Sequence, residues 1–281
     1  MKIFSECQTI RKQIHLYQAQ KETIALVPTM GHLHRGHVSL IELAKTKASR
    51  VIVSIFVNPI QFNQASDFNR YPRTLEDDIN TLRELNIDAL FIPEQDELYP
   101  HGIEQIPKIT IPELSEIFEG QFRPSHFDGV CTVVSKLFNI ITPDIALFGE
   151  KDYQQLLIIQ RMTDDLNFNI RIVPGKTQRE SNGLAMSSRN SHLTSEQREQ
   201  AAQIYSILKH TEDQFSIKNI PQLEVDASSL LEQHGFNIEY FSIRDSSNLQ
   251  PVSQHTESIV VLVAAWLGET RLIDNILFPA P

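Results

Sequence analysis

The chain has 281 residues, of which 41% are apolar and 21% charged, enough for two domains with real cores and no wholesale disorder. Its 25 Lys and Arg against 35 Asp and Glu leave a formal net charge of −10, which excludes a general nucleic-acid or anionic-membrane binder because both need a broad basic face. The longest apolar run, Ile259 to Leu267, falls far short of the roughly 20 residues of a membrane span and reads as a buried strand. Cys7 and Cys131, with no CxxC spacing, predict structural thiols rather than a disulfide framework or a thiolate metal site. No secretory signal is expected, and the cytoplasm is the default location.

Strand-like and helix-like stretches alternate up to about residue 175. Ile24–Val27 is a short β-rich run ending at Pro28, and a helical stretch from about Gly36 to Ala48 follows a Gly- and His-rich turn. Val51–Val57 is an apolar strand closed by Asn58-Pro59, and Thr74–Leu85 carries a helical apolar stripe. Ala89–Ile92 reads as a strand, Gly129–Ile141 as a helix, Ile145–Phe148 as a strand, Tyr153–Met162 as a helix and Ile170–Val173 as a strand. Apolar strands separated by helices predict a parallel sheet covered on both faces, whose ligands bind where strands end. Beyond about Lys176, helices at 196–209 and 222–234 precede strands at 238–243, 259–266 and 271–278, the last two joined by a tight turn. The expected class is therefore α/β, with a Rossmann-like parallel-sheet domain over residues 1–176 and a smaller α+β domain over 177–281.

Four segments at strand exits carry polar chemistry. Residues 28–37, PTMGHLHRGH, lie between the first strand and its helix and contain no acid. Gly31 and Gly36 permit tight turns, and a helix N-terminus offers free N–H groups to a phosphate. His34 and His37, three apart, share one face of a helical turn and can donate to phosphate oxygens. A metal pair is disfavoured, since the Glu and spacing of HExxH are absent, whereas two plain surface histidines remain an open reading. Neither a Walker loop nor a GxGxxG is present.

Residues 183–190, GLAMSSRN, place Ser187, Ser188, Arg189 and Asn190 in succession, a set able to hold several phosphate oxygens or simply a solvated loop. In FGEKDYQQ, residues 148–155, Lys151 could meet a phosphate or be a surface lysine, and Gln155 stands one helical turn further on. In FVNPIQF, residues 56–62, Asn58 and Gln61 are neutral donors beside apolar Ile60 and Phe62, which suits a small polar acid with a hydrocarbon body.

In their order and spacing, PTMGHLHRGH, SIFVNPIQF, YPRTLEDD, RPSHFDGV, FGEKDYQQ and GLAMSSRN resemble the pantothenate synthetase (pantoate–β-alanine ligase) family of HxGH nucleotidyltransferases, from about Phe4 to Phe278. The resemblance implies ATP-dependent condensation of pantoate with β-alanine to pantothenate through a pantoyl adenylate, releasing AMP and pyrophosphate. It assigns His34, His37, Lys151, Ser187, Ser188 and Arg189 to the triphosphate. Met30, Gly149, Asp152, Gln178 and Met186 complete an ATP site, with adenine meeting the backbone at Gln178. Gln61 and Gln155, with Asn58, would bind pantoate, and Arg123 and His126 lie near the site. Mg²⁺ would accompany ATP, with Asp78 as the acidic contact. The second domain would act as a lid, and the enzyme would be a homodimer. Departures from the family pattern fall at His32, Arg35, Gln178, Asn182 and Ser125, the last standing where glycine is usual. Arg35 is expected to point outward.

Overall fold

The computed structural model describes residues 1–63 and 65–281. These pack into two compact units, Met1–Glu150 with Ile158–Lys176, and Lys151–Leu157 with Thr177–Pro281.

The first unit is built on a six-stranded sheet, ordered β1-β4-β3-β2-β5-β6 and paired in parallel throughout. Its strands are β1 (Lys2–Phe4), β2 (Ile24–Thr29), β3 (Arg50–Ile55), β4 (Ala89–Phe91), β5 (Ile145–Gly149) and β6 (Arg171–Gly175). Between them run α1 (Cys7–Ala19), α2 (Arg35–Lys45), α3 (Ala65–Arg70), α4 (Leu75–Glu84), α5 (Gln95–Leu98), α6 (Glu119–Phe122), α7 (His126–Ile141) and α8 (Tyr153–Asp165), the last with its residues up to Leu157 belonging to the second unit. The α/β alternation read from the apolar runs is present. One addition precedes it: β1 and α1, the helix burying Ile10, Gln13, Ile14 and Tyr17 along a single stripe.

The central strands are buried on both faces, as a helix-covered parallel sheet requires. On one side Val27, Ile41, Val53, Leu82, Leu90 and Leu147 form a shared core. Beyond Pro28, β2 continues for one residue. Pairing with β5 stops at Leu26, so on that side the missing Pro28 N–H breaks no ladder. The chain runs from β2 outward to β3 and β4, then returns to β5 on the other side of β2. The C-terminal ends of β2 and β5 thus flank the switch point of the sheet, where open α/β sheets bind ligands.

In the second unit α9 (Ser195–Ala201), α10 (Gln203–Asp213) and α11 (Ile220–Gln233) precede the antiparallel strands β7 (Asn237–Asp245), β8 (Ser258–Leu267) and β9 (Thr270–Pro279). The stretch 196–209, expected as one helix, is divided at Ala202, whose backbone stays right-handed helical. Leu267 pairs with Thr270 across a two-residue connection at Gly268 (φ +59°), so β8 and β9 form the expected hairpin. Leu208, Leu231, Ile243, Val261 and Ala265 fill the core between helices and sheet.

Candidate active site

The turn after β2 is held from beneath. Gly31 (φ +80°) and His32 (φ +51°) both take left-handed conformations. This reversal turns the His32 and Leu33 amides onto Asp78 of α4, whose Oδ2 and Oδ1 accept them at 2.8 Å each. Thr74 Oγ1 donates to Oδ1 at 3.4 Å. Asp78 is 3% exposed, and a Cβ at Gly31 would stand 3.0 Å from its Oδ2 and 3.2 Å from Ile55, so the turn needs glycine there.

His34 is the N-cap of α2. Its Nδ1 accepts from the Gly36 amide (3.1 Å), and His37 Nδ1 accepts from the His34 amide (3.3 Å), a capping box built from two imidazoles. A ring nitrogen that accepts carries no proton, so each neutral ring bears its hydrogen on Nε2. The rings stand 4.2 Å apart between centroids, at the N-terminus of a helix with no acid in its first turn. Arg35 between them is exposed, in line with the outward expectation.

Asn58 caps and Gln61 ends a single 3-10 turn after β3, and they are 1% and 7% exposed. Asn58 Nδ2 donates to Gln61 Oε1 (3.0 Å) and to the Gly129 carbonyl (3.1 Å), while Tyr99 Oη donates to Asn58 Oδ1 (2.9 Å). Gly129 lets α7 press against this turn, since a Cβ there would lie 2.7 Å from the Ile60 carbonyl and 2.8 Å from the Gln61 backbone. Arg123 Nη1 can only donate, so His126 Nε2 accepts (3.1 Å) and His126 Nδ1 donates to the Gln61 carbonyl (2.8 Å). Arg123 and His126 therefore act on the backbone of Gln61.

In the second unit Lys151, Ser187, Arg189, Asn190, Arg271 and Asp274 line one pocket. Asn275 Nδ2 donates to the Lys151 carbonyl (2.8 Å), and Lys151 Nζ lies 3.7 Å from Asp152, itself exposed. Ser187 caps a 3-10 turn over Ser188–His192 by accepting the Arg189 amide at 3.3 Å. Asn190, read from sequence as a further phosphate donor, is instead buried, and its Nδ2 is engaged by Glu180 Oε1 (3.1 Å) and the Ala185 carbonyl (3.0 Å). Arg179 of the same basic stretch forms a two-point pair with buried Asp274 (2.6 and 3.0 Å) and lies 3.6 Å over the Tyr205 ring. Burial pushes the Asp274 carboxyl up, and Arg179 opposes that shift.

Over residues 2–277 the chain matches the model of the family described as pantoate-beta-alanine ligase. The chain belongs to the pantoate–β-alanine ligase family. It is 46% identical over 275 residues to a pantothenate synthetase of Shewanella denitrificans, and 46% identical over 278 residues to a pantoate–β-alanine ligase of Schizosaccharomyces pombe, covering 98% of both chains in each case. A crystal structure of pantothenate synthetase from Thermus thermophilus superposes with a TM-score of 0.89 at 37% identity, over 98% of this chain and 99% of that one. Another, of the Francisella tularensis ligase complexed with β,γ-ATP and β-alanine, gives 0.80 at 38% identity, over 99% and 97%.

Other family-motif positions can be placed on this frame. Met30 follows β2, Gly149 ends β5, and no atom lies within 4 Å of where a Gly149 Cβ would stand. The Gln178 carbonyl accepts the Met186 amide (2.9 Å), and Gln155 is half-buried in the first turn of α8. Ser125 adopts φ +61°, ψ 5°, a left-handed conformation that glycine takes without strain, in line with the departure at this position. Asn182 Oδ1 accepts the Leu184 amide (3.2 Å), a turn role that Asn and Asp fill alike.

Asp78, expected as the acidic contact to Mg²⁺, does not fit a direct ligand. It is buried, and three donors already occupy its oxygens, which have about four lone-pair sites in all. Among the described residues no group of three or more His, Cys, Asp or Glu could hold a metal ion. The contacts of Tyr99, Gly129 and Asn275 are invisible along the sequence, although Gly129 itself lies within the RPSHFDGV motif. Each acts through a partner at least 41 positions away, and no local pattern marks such pairs.

Proposed function

We infer that this chain joins pantoate to β-alanine, driven by ATP, through a pantoyl adenylate. The observation that carries this reading is the imidazole capping box, which fixes two Nε2–H donors at a helix N-terminus beside the switch point of the sheet. A pantoate carboxylate oxygen bonds to the α-phosphorus, and the bond to the β-phosphate oxygen breaks, releasing pyrophosphate. The β-alanine amine then bonds to the acyl carbon, AMP leaves with the electron pair of the acyl–oxygen bond, and the amine gives up a proton.

No enzyme nucleophile is required. Burial in any case pushes the Cys7 thiol up to about 11 and the Cys131 thiol up to about 12, too high for thiolate attack at neutral pH. Residues His34, His37, Lys151, Ser187, Ser188 and Arg189 would hold and neutralise the triphosphate, which is catalysis by positioning and charge stabilisation. Gln61 and Gln155 would hold pantoate, with Asn58 acting through Gln61. Met30, Gly149, Asp152, Gln178 and Met186 would surround the nucleoside. Mg²⁺ would supply charge neutralisation from ATP's own oxygens. A lid role for residues 177–281 would keep water from the adenylate.

The assay is AMP formation with ATP, Mg²⁺, pantoate and β-alanine, omitting each component in turn. AMP is expected only when all are present, and Lys151→Ala should lower the rate by about 10²-fold, as for a lost electrostatic stabiliser. ADP in place of AMP would overturn the adenylate route, and AMP without both acids would overturn the substrates. Among the described residues no helix is long and apolar enough to cross a membrane. The reading extends to a cytoplasmic homodimer, which sedimentation at the monomer mass would contradict.

A further inference from the structure

We propose that Tyr99 is a positioning residue that sets which end of the Gln61 amide faces the ligand. The inference rests on the reading that Gln61 contacts pantoate, and it names the chemistry recognised there. The Gly129 carbonyl can only accept, so the end of Asn58 facing it must be Nδ2. Oδ1 of Asn58 then points the opposite way, where Tyr99 Oη donates to it at 2.9 Å.

The second Nδ2 hydrogen of Asn58 meets Gln61, so the Gln61 atom facing it must be Oε1. Asn58 thereby has both N–H donors committed and its oxygen engaged by Tyr99, and at 1% exposure it is withdrawn from a ligand. Gln61 turns its oxygen toward Asn58 and its Nε2 away, so the end of the amide facing away from Asn58 presents N–H donors. A site presenting donors reads a hydrogen-bond acceptor, such as a carboxylate or the lone pair of a hydroxyl oxygen. It disfavours a ligand group that can only donate.

Tyr99 suits the task. The residue is 1% exposed, with its ring packed beside Phe56 at 6.1 Å between centroids and the Lys136 ammonium 5.4 Å from the ring centre. Burial pushes its phenol up, which keeps the hydroxyl protonated and donating. Removing that hydroxyl strands Asn58 Oδ1 in a buried place and takes away one of the two groups that fix the amide's sense.

The test compares Tyr99→Phe with Gln61→Ala in the AMP-forming reaction, with the unfolding midpoint measured for each. Tyr99→Phe keeps the ring and its packing. It should raise the KM for pantoate by about tenfold, the scale of one stranded buried acceptor, with the KM for ATP unchanged. Gln61→Ala should raise the same KM by at least as much. If Gln61→Ala leaves the pantoate KM unchanged, the reading of Gln61 fails and the proposal falls with it. If Gln61→Ala raises it but Tyr99→Phe does not, or Tyr99→Phe moves both KM values together with the unfolding midpoint, Gln61 stands as a ligand contact and the role of Tyr99 is overturned.

Discussion

Asp78 is a carboxylate held in a nearly closed environment by the two backbone amides that it aligns. Those amides belong to His32 and Leu33, immediately before His34, so the carboxylate fixes the course of the chain into the N-cap of α2. Asp78→Asn keeps one acceptor oxygen and turns an NH₂ toward the other amide. The variant should lose about 1–3 kcal/mol of stability, read by urea unfolding, and should raise the KM for ATP because the imidazole pair loses its footing. A direct metal role makes a different forecast: a higher Mg²⁺ requirement at an unchanged unfolding midpoint. That pattern in Asp78→Asn would show that the carboxylate serves the ion and not the turn.

At the scale of elements, β9 supplies two adjacent side chains with different duties. Asp274 takes up the Arg179 guanidinium, and Asn275 ties down the Lys151 backbone. Arg179 also donates to the Gly183 and Asn275 carbonyls (3.1 and 3.2 Å), so it ties the turn that leads into Ser187 and Arg189 to β9. Arg179→Ala leaves a buried carboxylate without its guanidinium and should destabilise the protein by roughly 3–5 kcal/mol. Arg179→Met combined with Asp274→Leu removes both charges and should unfold at a higher urea concentration than the single variant. A double variant weaker than the single one would show that the charge pair is not what Arg179 contributes.

These elements also mark what could be read along the chain. The strands β2, β3 and β5 were legible because sheet burial demands unbroken apolar runs, and the polar segments 28–37, 56–62 and 148–155 stood out because each lies at the end of such a run, whereas 183–190 follows no buried run. The role of Arg179 was not, since its partner lies 95 positions away, and the same distance problem hides Tyr99 behind Asn58. Helix α1 escaped because four buried residues in a thirteen-residue polar segment make a thin stripe.

For the whole molecule, the net charge of −10 and a polyanionic substrate are compatible only if the cations are concentrated. Residues 28–37 carry one Arg and three His against no acid, and residues 176–192 carry two Arg and one Lys against Glu180. The structure trims that count. Arg35 is exposed, Arg179 is neutralised by Asp274, and the imidazole Nδ1 atoms are engaged in the helix cap. What remains for phosphate is a few donors fixed by their neighbours, and not a basic surface. Binding of a long polyanion depends on releasing many counterions at once, which needs a row of cations at phosphate spacing. The protein should therefore pass unretained through immobilised heparin at about 0.15 M salt, near the ionic strength at which charges interact over only about 8 Å. It should still bind ATP in the same buffer, measured by calorimetry. Retention on heparin that falls steeply with added salt would reveal a basic face that neither the composition nor the pairing of Arg179 allows.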